Sequence, residues 1–458
     1  MIPLQSLPDR PFAVLGLGAS GRAACRALLA AGKPVSAWDD DADVRRREAA
    51  SGLPIEDPQG RDMAGLEALV LSPGIPHTHP EPHPLVTAAR WAGCPVIGDG
   101  ELFARALPDA CSVGITGTNG KSTTTALIGH ILNVAGRPCA VGGNLGTPVL
   151  DLTPPGKDGV FVLEMSSYQL ELTPSLTFAV AVLLNVTPDH LGRHGGMDGY
   201  VAAKRMIFRG CREGPVAIVG VDDPICAGIA DELEAEGRWR VIRVSGIRAV
   251  PGGVFADDGH LVDDTDAMAA RVIDLAAAPA LPGPHNAQNA AAAVAAVLAL
   301  GIERAVAARG LASFPGLAHR QERLATLGSL TFVNDSKATN AEAAARALSC
   351  YRNIYWIVGG RPKDDDLSAV EPYLSHVRHA YLIGEAEDLF AQRLGGRLAV
   401  TRAGTLAHAV AAAYRQAKAD AVGDAVVLLS PACASFDQFR NFEARGDAFR
   451  RLVTEITP

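Results

Sequence analysis

Residues 116–123 read Thr-Gly-Thr-Asn-Gly-Lys-Ser-Thr, directly after an apolar run at 111–116 and before a helical pattern. A strand, a glycine turn and Gly-Lys-Ser opening a helix place backbone N–H groups and a helix N-terminus around phosphate oxygens. In such a loop Lys121 would reach the β- and γ-phosphates of a nucleoside triphosphate and Ser122 would hold Mg²⁺. The usual spacing asks for glycine at 115, where Ile115 stands; the first glycine is Gly117 or, outside the pattern, Gly114. A glycine turn capped by Ser122 is the competing reading, and the strand before and helix after favour the phosphate loop.

Glu164 closes the apolar run 160–164 and precedes Ser166-Ser167-Tyr168-Gln169. A carboxylate at the end of a neighbouring strand is where a phosphate-loop enzyme needs its second Mg²⁺ contact. The alternative is a glutamate that caps the next helix. Asn185-Val186-Thr187-Pro188-Asp189-His190 ends the next run, so three parallel strands would deliver Lys121, Glu164 and His190 to one edge. His190 could ligate a metal, hold a substrate carboxylate, or simply belong to the turn. Lys204, on a helical stretch at 200–205, reads from spacing alone as a solvated lysine. His77, His79 and His83 form an H-x-H-x₃-H cluster. Pro76, Pro80, Pro82 and Pro84 make it an extended loop with no evident fourth ligand, so no zinc site is expected there.

These residues need a scaffold, and the pattern supplies an α/β one with parallel sheets. In residues 1–100 a strand at 12–15 leads into Gly16-Leu17-Gly18-Ala19-Ser20-Gly21, a helix to 31 and a strand at 34–38 ending at Asp39. That order resembles the dinucleotide fingerprint, a weak signal by itself. Another strand, 66–71, ends in Ser72-Pro73-Gly74. Residues 101–316 hold the phosphate loop, strands at 160–164 and 178–185, and a nearly all-apolar helix at 287–300, read as buried. Phe314-Pro315-Gly316 breaks the periodicity, and a hinge is placed there. Residues 317–458 alternate again, with strands at 330–333, 354–358, 380–383 and 425–429. In open α/β sheets, ligands bind at the carboxyl ends of such strands.

At 458 residues, with 48% hydrophobic and 20% charged, the chain suits about three globular domains. A formal charge of −8 without a basic stripe argues against nucleic-acid binding. No long apolar run predicts a membrane span, and the first residues, which include Asp9, lack the apolar core of a signal peptide. Eight scattered cysteines without a C-x-x-C pair suit free thiols and a cytoplasmic protein. Of the 42 basic residues only Lys33, Lys121, Lys157, Lys204, Lys337, Lys363 and Lys418 are lysine. Each is a candidate for work a guanidinium cannot do. Lys33, Lys157 and Lys418 lie outside the motifs and are read as chance survivors.

The assembled set resembles a known family, the Mur ligases of peptidoglycan synthesis. The stretches that carry the resemblance are GITGTNGKST from Gly114, GGNLGTP from Gly142, LEMSSYQLE from Leu163, LNVTPDHL from Leu184 and AAKRMIF from Ala202. PGPHNAQNAAAA from Pro282, GLAHRQE from Gly316, NDSKATN from Asn334 and LSPACASFDQFRNFEARG from Leu429 complete it. They run in family order over nearly the whole chain. NDSKATN and SPACASFDQF point to the member that adds D-glutamate to UDP-N-acetylmuramoyl-L-alanine.

The resemblance implies three domains: UDP-sugar binding at 1–100 and ATP binding at 101–316, with a Rossmann-like amino-acid domain at 317–458. It implies that Gly117, Thr118, Asn119, Gly120, Lys121, Ser122 and Thr123 bind ATP phosphates. Ser122 and Glu164 would hold a first Mg²⁺, and His190 with a CO₂-carbamylated Lys204 a second. Lys121, His190 and Lys204 would thus form the catalytic set. Asn289, Arg320 and Asp335 match positions contacting ATP. Ala19, Ser20, Gly74 and Asn144 match the UDP-sugar site, and Lys337, Thr339, Lys363, Ser435, Phe436 and Phe442 the D-glutamate end. The implied protein is a cytoplasmic monomer acting on small molecules.

An amine does not attack a carboxylate, so the implied reaction phosphorylates the L-alanyl carboxylate with ATP and lets the D-glutamate amine displace phosphate through a tetrahedral intermediate. Shielding the acyl phosphate from water motivates closure about hinges near 100 and 316. A dinucleotide-dependent dehydrogenase built on Gly16–Gly21 leaves the phosphate loop unexplained. An ATPase switch would hydrolyse ATP without a UDP-sugar, and another amide ligase of the same superfamily would take a different amino acid.

Overall fold

The computed structural model describes residues 1–58, 60, 62–210, 214–266, 268–362 and 366–456. The chain forms two compact units, Met1–Ala277 with Asn286–Ser313, and Ala278–His285 with Phe314–Pro458.

The first unit holds two sheets. One is fully parallel, in the order Val35–Trp38, Phe12–Leu15, Ala68–Leu71, Val96–Ile97. Phe12–Leu15 and Ala68–Leu71 are buried throughout, as parallel strands covered on both faces must be. Between its first two strands in sequence lies the helix Ala19–Ala30, and the Asp39 carboxylate accepts the Leu17 N–H at 2.6 Å, so the acid closes the glycine turn. Lys33, read above as a chance survivor, is instead buried. Its ammonium donates to the Gln5 and Leu7 carbonyls and meets Asp9, fastening the N-terminal segment under the sheet.

The second sheet has nine strands. Five of its strands run Val216–Gly220, Val180–Leu183, Ser112–Thr116, Val160–Glu164 and, at one edge, Cys139–Gly143, all parallel. Ser112–Thr116, Val160–Glu164 and Val180–Leu183 are mostly apolar and buried throughout, which is why they could be read from apolarity alone, whereas Val216–Gly220 and Cys139–Gly143 were not read from the sequence. Beyond Arg240–Ser245 and Val254–Asp257 the sheet finishes in two antiparallel strands, His260–Asp263 and Ala270–Asp274, which the sequence reading left unassigned. The helix Pro284–Ala299 is buried along nearly its whole length, as the nearly all-apolar stretch 287–300 predicts.

The second unit is built on a six-stranded sheet, Glu322–Leu327, Leu330–Asn334, Ala425–Leu429, Ile354–Gly359, Val377–Ile383, Val400–Gly404. The first pair is an antiparallel hairpin and the rest are parallel. One face packs Trp356 and Leu348, the other Tyr355 and Phe449. The ends of three adjacent strands, at Asn334, Leu429 and Gly359, therefore lie side by side. No described helix is long and apolar enough to cross a membrane. Seven described cysteines are free thiols, and Cys211 lies outside the described residues.

Candidate functional site

The phosphate loop occupies the gap between Ser112–Thr116 and the helix Lys121–Val134. Gly120 sits at φ +86°, and a Cβ there would fall 2.3 Å from the Asn289 amide oxygen, so both backbone and neighbour require glycine. Asn185 holds the loop from the next strand: its carbonyl accepts from Thr118 N–H, its amide oxygen from Asn119 N–H at 2.9 Å, and its amide nitrogen donates to the Asn119 carbonyl. The Thr118 hydroxyl donates to the Thr187 carbonyl at 3.0 Å and accepts from Tyr200 OH at 3.1 Å. The cradle is thus fixed by the loop that ends the neighbouring strand Val180–Leu183 and by Tyr200 of the helix Met197–Arg205.

Two lysine amines converge on one carbonyl of this loop. Lys121 Nζ donates to Gly117 O and Thr118 O, both at 2.9 Å, and Lys204 Nζ donates to the same Gly117 O at 2.8 Å. Lys204 is 1% exposed on the helix Met197–Arg205, with its amine 4.5 Å from the Tyr200 ring. Burial first, and the nearby Lys121 charge second, hold the Lys204 amine well below the usual lysine range. Glu164 is buried at the end of its strand. Its Oε1 accepts from the Asn144 amide at 2.7 Å, while the buried Oε2 has no hydrogen-bond partner among the described residues. A buried, unpaired carboxylate oxygen beside a serine-bearing phosphate loop is a hard-oxygen donor set that fits Mg²⁺. The helix-cap reading of Glu164 does not hold, because Ser166 and Gln169 form the capping box of the next helix. His190 lies at φ +53°, half exposed, with its ring 5.5 Å from that of Tyr168.

Ala19 and Ser20 begin the helix after the Gly16–Gly21 turn, with Ser20 hydrogen-bonded to the buried Asp99. Gly74 is linked to the His190 loop: Arg193 donates to the Gly74 carbonyl at 2.7 Å and to that of Ile75 at 3.1 Å. The three histidines of the H-x-H-x₃-H stretch diverge. His77 Nε2 lies 3.5 Å from Glu171, His83 accepts from Leu85 N–H and faces Asp40, and His79 packs on Gly195.

In the second unit, the carboxyl edge of the sheet gathers a dense polar set. Asp335 accepts from Ser430 Oγ at 2.8 Å and from Gln321 N–H at 3.1 Å; burial pushes its carboxyl up to about 7, against those bonds and the Arg320 charge. Lys337 places its ammonium 4.1 Å from the centre of the Phe442 ring. Ser435 is buried, Phe436 is exposed, and Thr339 follows in the loop after Lys337. Lys363 lies outside the described residues.

Residues 115–297 match the Mur ligase middle domain, and 319–433 match the Mur ligase glutamate ligase domain. The chain is 52% identical over 453 residues to the UDP-N-acetylmuramoylalanine--D-glutamate ligase of Paramagnetospirillum magneticum, covering 99% of this chain and 98% of the relative. It is 51% identical to the enzyme of that name from Rhodospirillum rubrum, covering 100% and 97%. The chain belongs to the Mur ligase family. Among solved structures, the UDP-N-acetylmuramate-alanine ligase of Thermotoga maritima superposes with a TM-score of 0.59 at 15% identity, covering 97% of this chain and 99% of that one. This likeness carries the three-domain Mur ligase fold.

Within this Mur ligase, Lys121, Ser122, Glu164, Asn144, Asn289 and Lys204 gather around the phosphate loop of the first unit. Arg320, Asp335, Lys337, Ser435 and Phe442 gather at the sheet edge of the second. The sequence reading missed Asn185, whose side chain braces the loop, and two buried residues of the second unit, Ser336 and Arg445. Asn185 could have been found from its position at the end of the strand beside the loop. Arg445 carries no such signal, since a helical arginine is usually solvated.

Proposed function

We propose that this Mur ligase joins D-glutamate to UDP-N-acetylmuramoyl-L-alanine, consuming ATP and releasing ADP and phosphate, as a cytoplasmic monomer in peptidoglycan precursor synthesis. The observation that carries the reading is the convergence of Lys121 and Lys204 on Gly117 O beside the unpaired Glu164 Oε2, in a chain half identical to relatives named for that reaction. Backbone N–H groups of residues 117–123 and the Lys121 ammonium bind the ATP phosphates, and Asn289, Arg320 and Asp335 hold the rest of the nucleotide. Ala19, Ser20, Gly74 and Asn144 position the UDP-sugar so that its terminal carboxylate meets the γ-phosphoryl. Lys337, Thr339, Lys363, Ser435, Phe436 and Phe442 orient the amino acid, whose amine attacks the acyl phosphate and expels phosphate.

Ser122 with Glu164, and His190 with a carbamylated Lys204, would hold two Mg²⁺ ions, which supply positive charge against phosphate and carboxylate oxygens. The carbamate forms when the neutral Lys204 amine adds to the carbon of CO₂ and releases a proton to solvent. The conversion turns a buried amine into an anionic oxygen ligand.

Phosphate release from ATP and UDP-N-acetylmuramoyl-L-alanine, measured with D-glutamate, L-glutamate, meso-diaminopimelate or L-lysine, tests the reading. Stimulation by D-glutamate alone is expected. Stimulation by another amino acid, or turnover without the UDP-sugar, overturns it.

A further inference from the structure

Arg445, in the first turn of the helix Phe442–Ile456, is 1% exposed. Its guanidinium is engaged with oxygens on two loops. Nε donates to Ser336 Oγ at 3.0 Å, Nη2 to the Ser336 carbonyl at 2.8 Å and the Cys433 carbonyl at 3.1 Å, and Nη1 to the Ala434 carbonyl at 3.3 Å. None of these acceptors is a carboxylate; Asp437 and Asp335 act on the guanidinium as more distant charges. Burial lowers its affinity for the proton to a pKa of about 10, still leaving it cationic at neutral pH.

The bonded network reaches all three adjacent strand ends. Ser336 Oγ donates onward to the Phe442 carbonyl at 2.8 Å, and Ala434 exchanges backbone hydrogen bonds with Arg361 at 2.9 and 3.0 Å. Gly360 lies against the same group, since a Cβ there would fall 3.1 Å from Nη1. Three of the tied residues belong to or adjoin the proposed amino-acid site: Ser336 precedes Lys337, Ala434 precedes Ser435, and Phe442 is held through its carbonyl.

A cation buried without a carboxylate is a costly way to join two loops, and apolar side chains of similar volume would join them with less desolvation. What the guanidinium adds is a rigid planar fork that fixes the distance between the loops, together with positive potential in a low-dielectric edge. We infer that Arg445 is a positioning residue for the amino-acid substrate: it sets the Lys337 loop against the Ser435 loop and biases that edge toward a dicarboxylate. The inference rests on the proposed D-glutamate ligation.

The test compares KM for D-glutamate, ATP and UDP-N-acetylmuramoyl-L-alanine in the wild type, Arg445→Lys and Ser336→Ala, with thermal unfolding of each. Arg445→Lys keeps the charge and loses the fork. It should raise KM for D-glutamate roughly tenfold, the effect of losing a charge-assisted hydrogen bond. The other two KM values should stay within about twofold. Ser336→Ala, which deletes one acceptor, should shift the same constant in the same direction by less. Equal changes in all three KM values, or a fall in kcat at unchanged D-glutamate KM, overturn the positioning role. If Arg445→Lys does not fold, Ser336→Ala is judged by the same criteria. A wild type without D-glutamate-dependent phosphate release defeats the proposed activity itself, and the inference with it.

Discussion

A lysine amine that is 1% exposed and 2.8 Å from a loop carbonyl has left water behind. Desolvation disfavours the ammonium form, and Lys121, on the same carbonyl, disfavours it further. The neutral amine is the form that reacts with CO₂, so these surroundings favour the proposed carbamylation of Lys204, where its spacing on a helix shows only a polar position. This is why the residue was illegible from periodicity: burial of one helical side chain is decided by the strands packed over it. Replacing Lys204 with alanine should lower ATP-dependent ligation on the order of a hundredfold, the effect expected if the proposed metal ligand is lost. Formate or acetate in the assay should restore part of it by supplying the missing carboxylate. Full activity in the unsupplemented variant excludes the carbamate.

Several elements that position the site were legible because their burial is two-sided, although Val216–Gly220, equally buried, was not read. Ser112–Thr116, Val160–Glu164, Val180–Leu183 and Ala425–Leu429 each read as a short apolar run, because a parallel strand covered on both faces has no polar side to alternate with. The strands His260–Asp263 and Ala270–Asp274 escaped notice because they are short and carry histidine, aspartate and arginine among their apolar residues. The anchor between the N-terminal segment and the first sheet was equally hidden. Lys33 reaches residues 24 to 28 positions earlier in the chain, a separation no local pattern reports. Asp9 is 93% exposed, so the ion pair itself contributes little and the buried carbonyl bonds matter more. Lys33→Met should therefore destabilise the protein by roughly 1–3 kcal/mol in urea unfolding, the penalty for buried acceptors left unpaired. The Michaelis constants of the folded variant should not change. An unchanged unfolding midpoint shows that the segment is not held by this lysine.

Over the whole molecule, a formal charge of −8 coexists with proposed substrates that are all anionic. Net charge is a poor guide here because the cations proposed to matter are few and placed: Lys121 in the first unit, Arg320, Lys337 and Arg445 in the second. The proposed UDP-sugar residues, Ala19, Ser20, Gly74 and Asn144, all belong to the first unit, and the described amino-acid residues all belong to the second. A ligand that binds only the native state slows local opening of the segments it holds, by about 2.7 kcal/mol at a hundredfold excess over Kd. Amide hydrogen exchange separates the two assignments in one experiment. The UDP-sugar substrate alone should protect residues 16–21, 72–75 and 142–145, and D-glutamate at saturating concentration should protect 335–339 and 433–442. If D-glutamate slows exchange in the first set and leaves the second untouched, the amino-acid site has been assigned to the wrong unit. The roles of Lys337, Ser435 and Phe442 would then fall together, because all three rest on the same sheet edge.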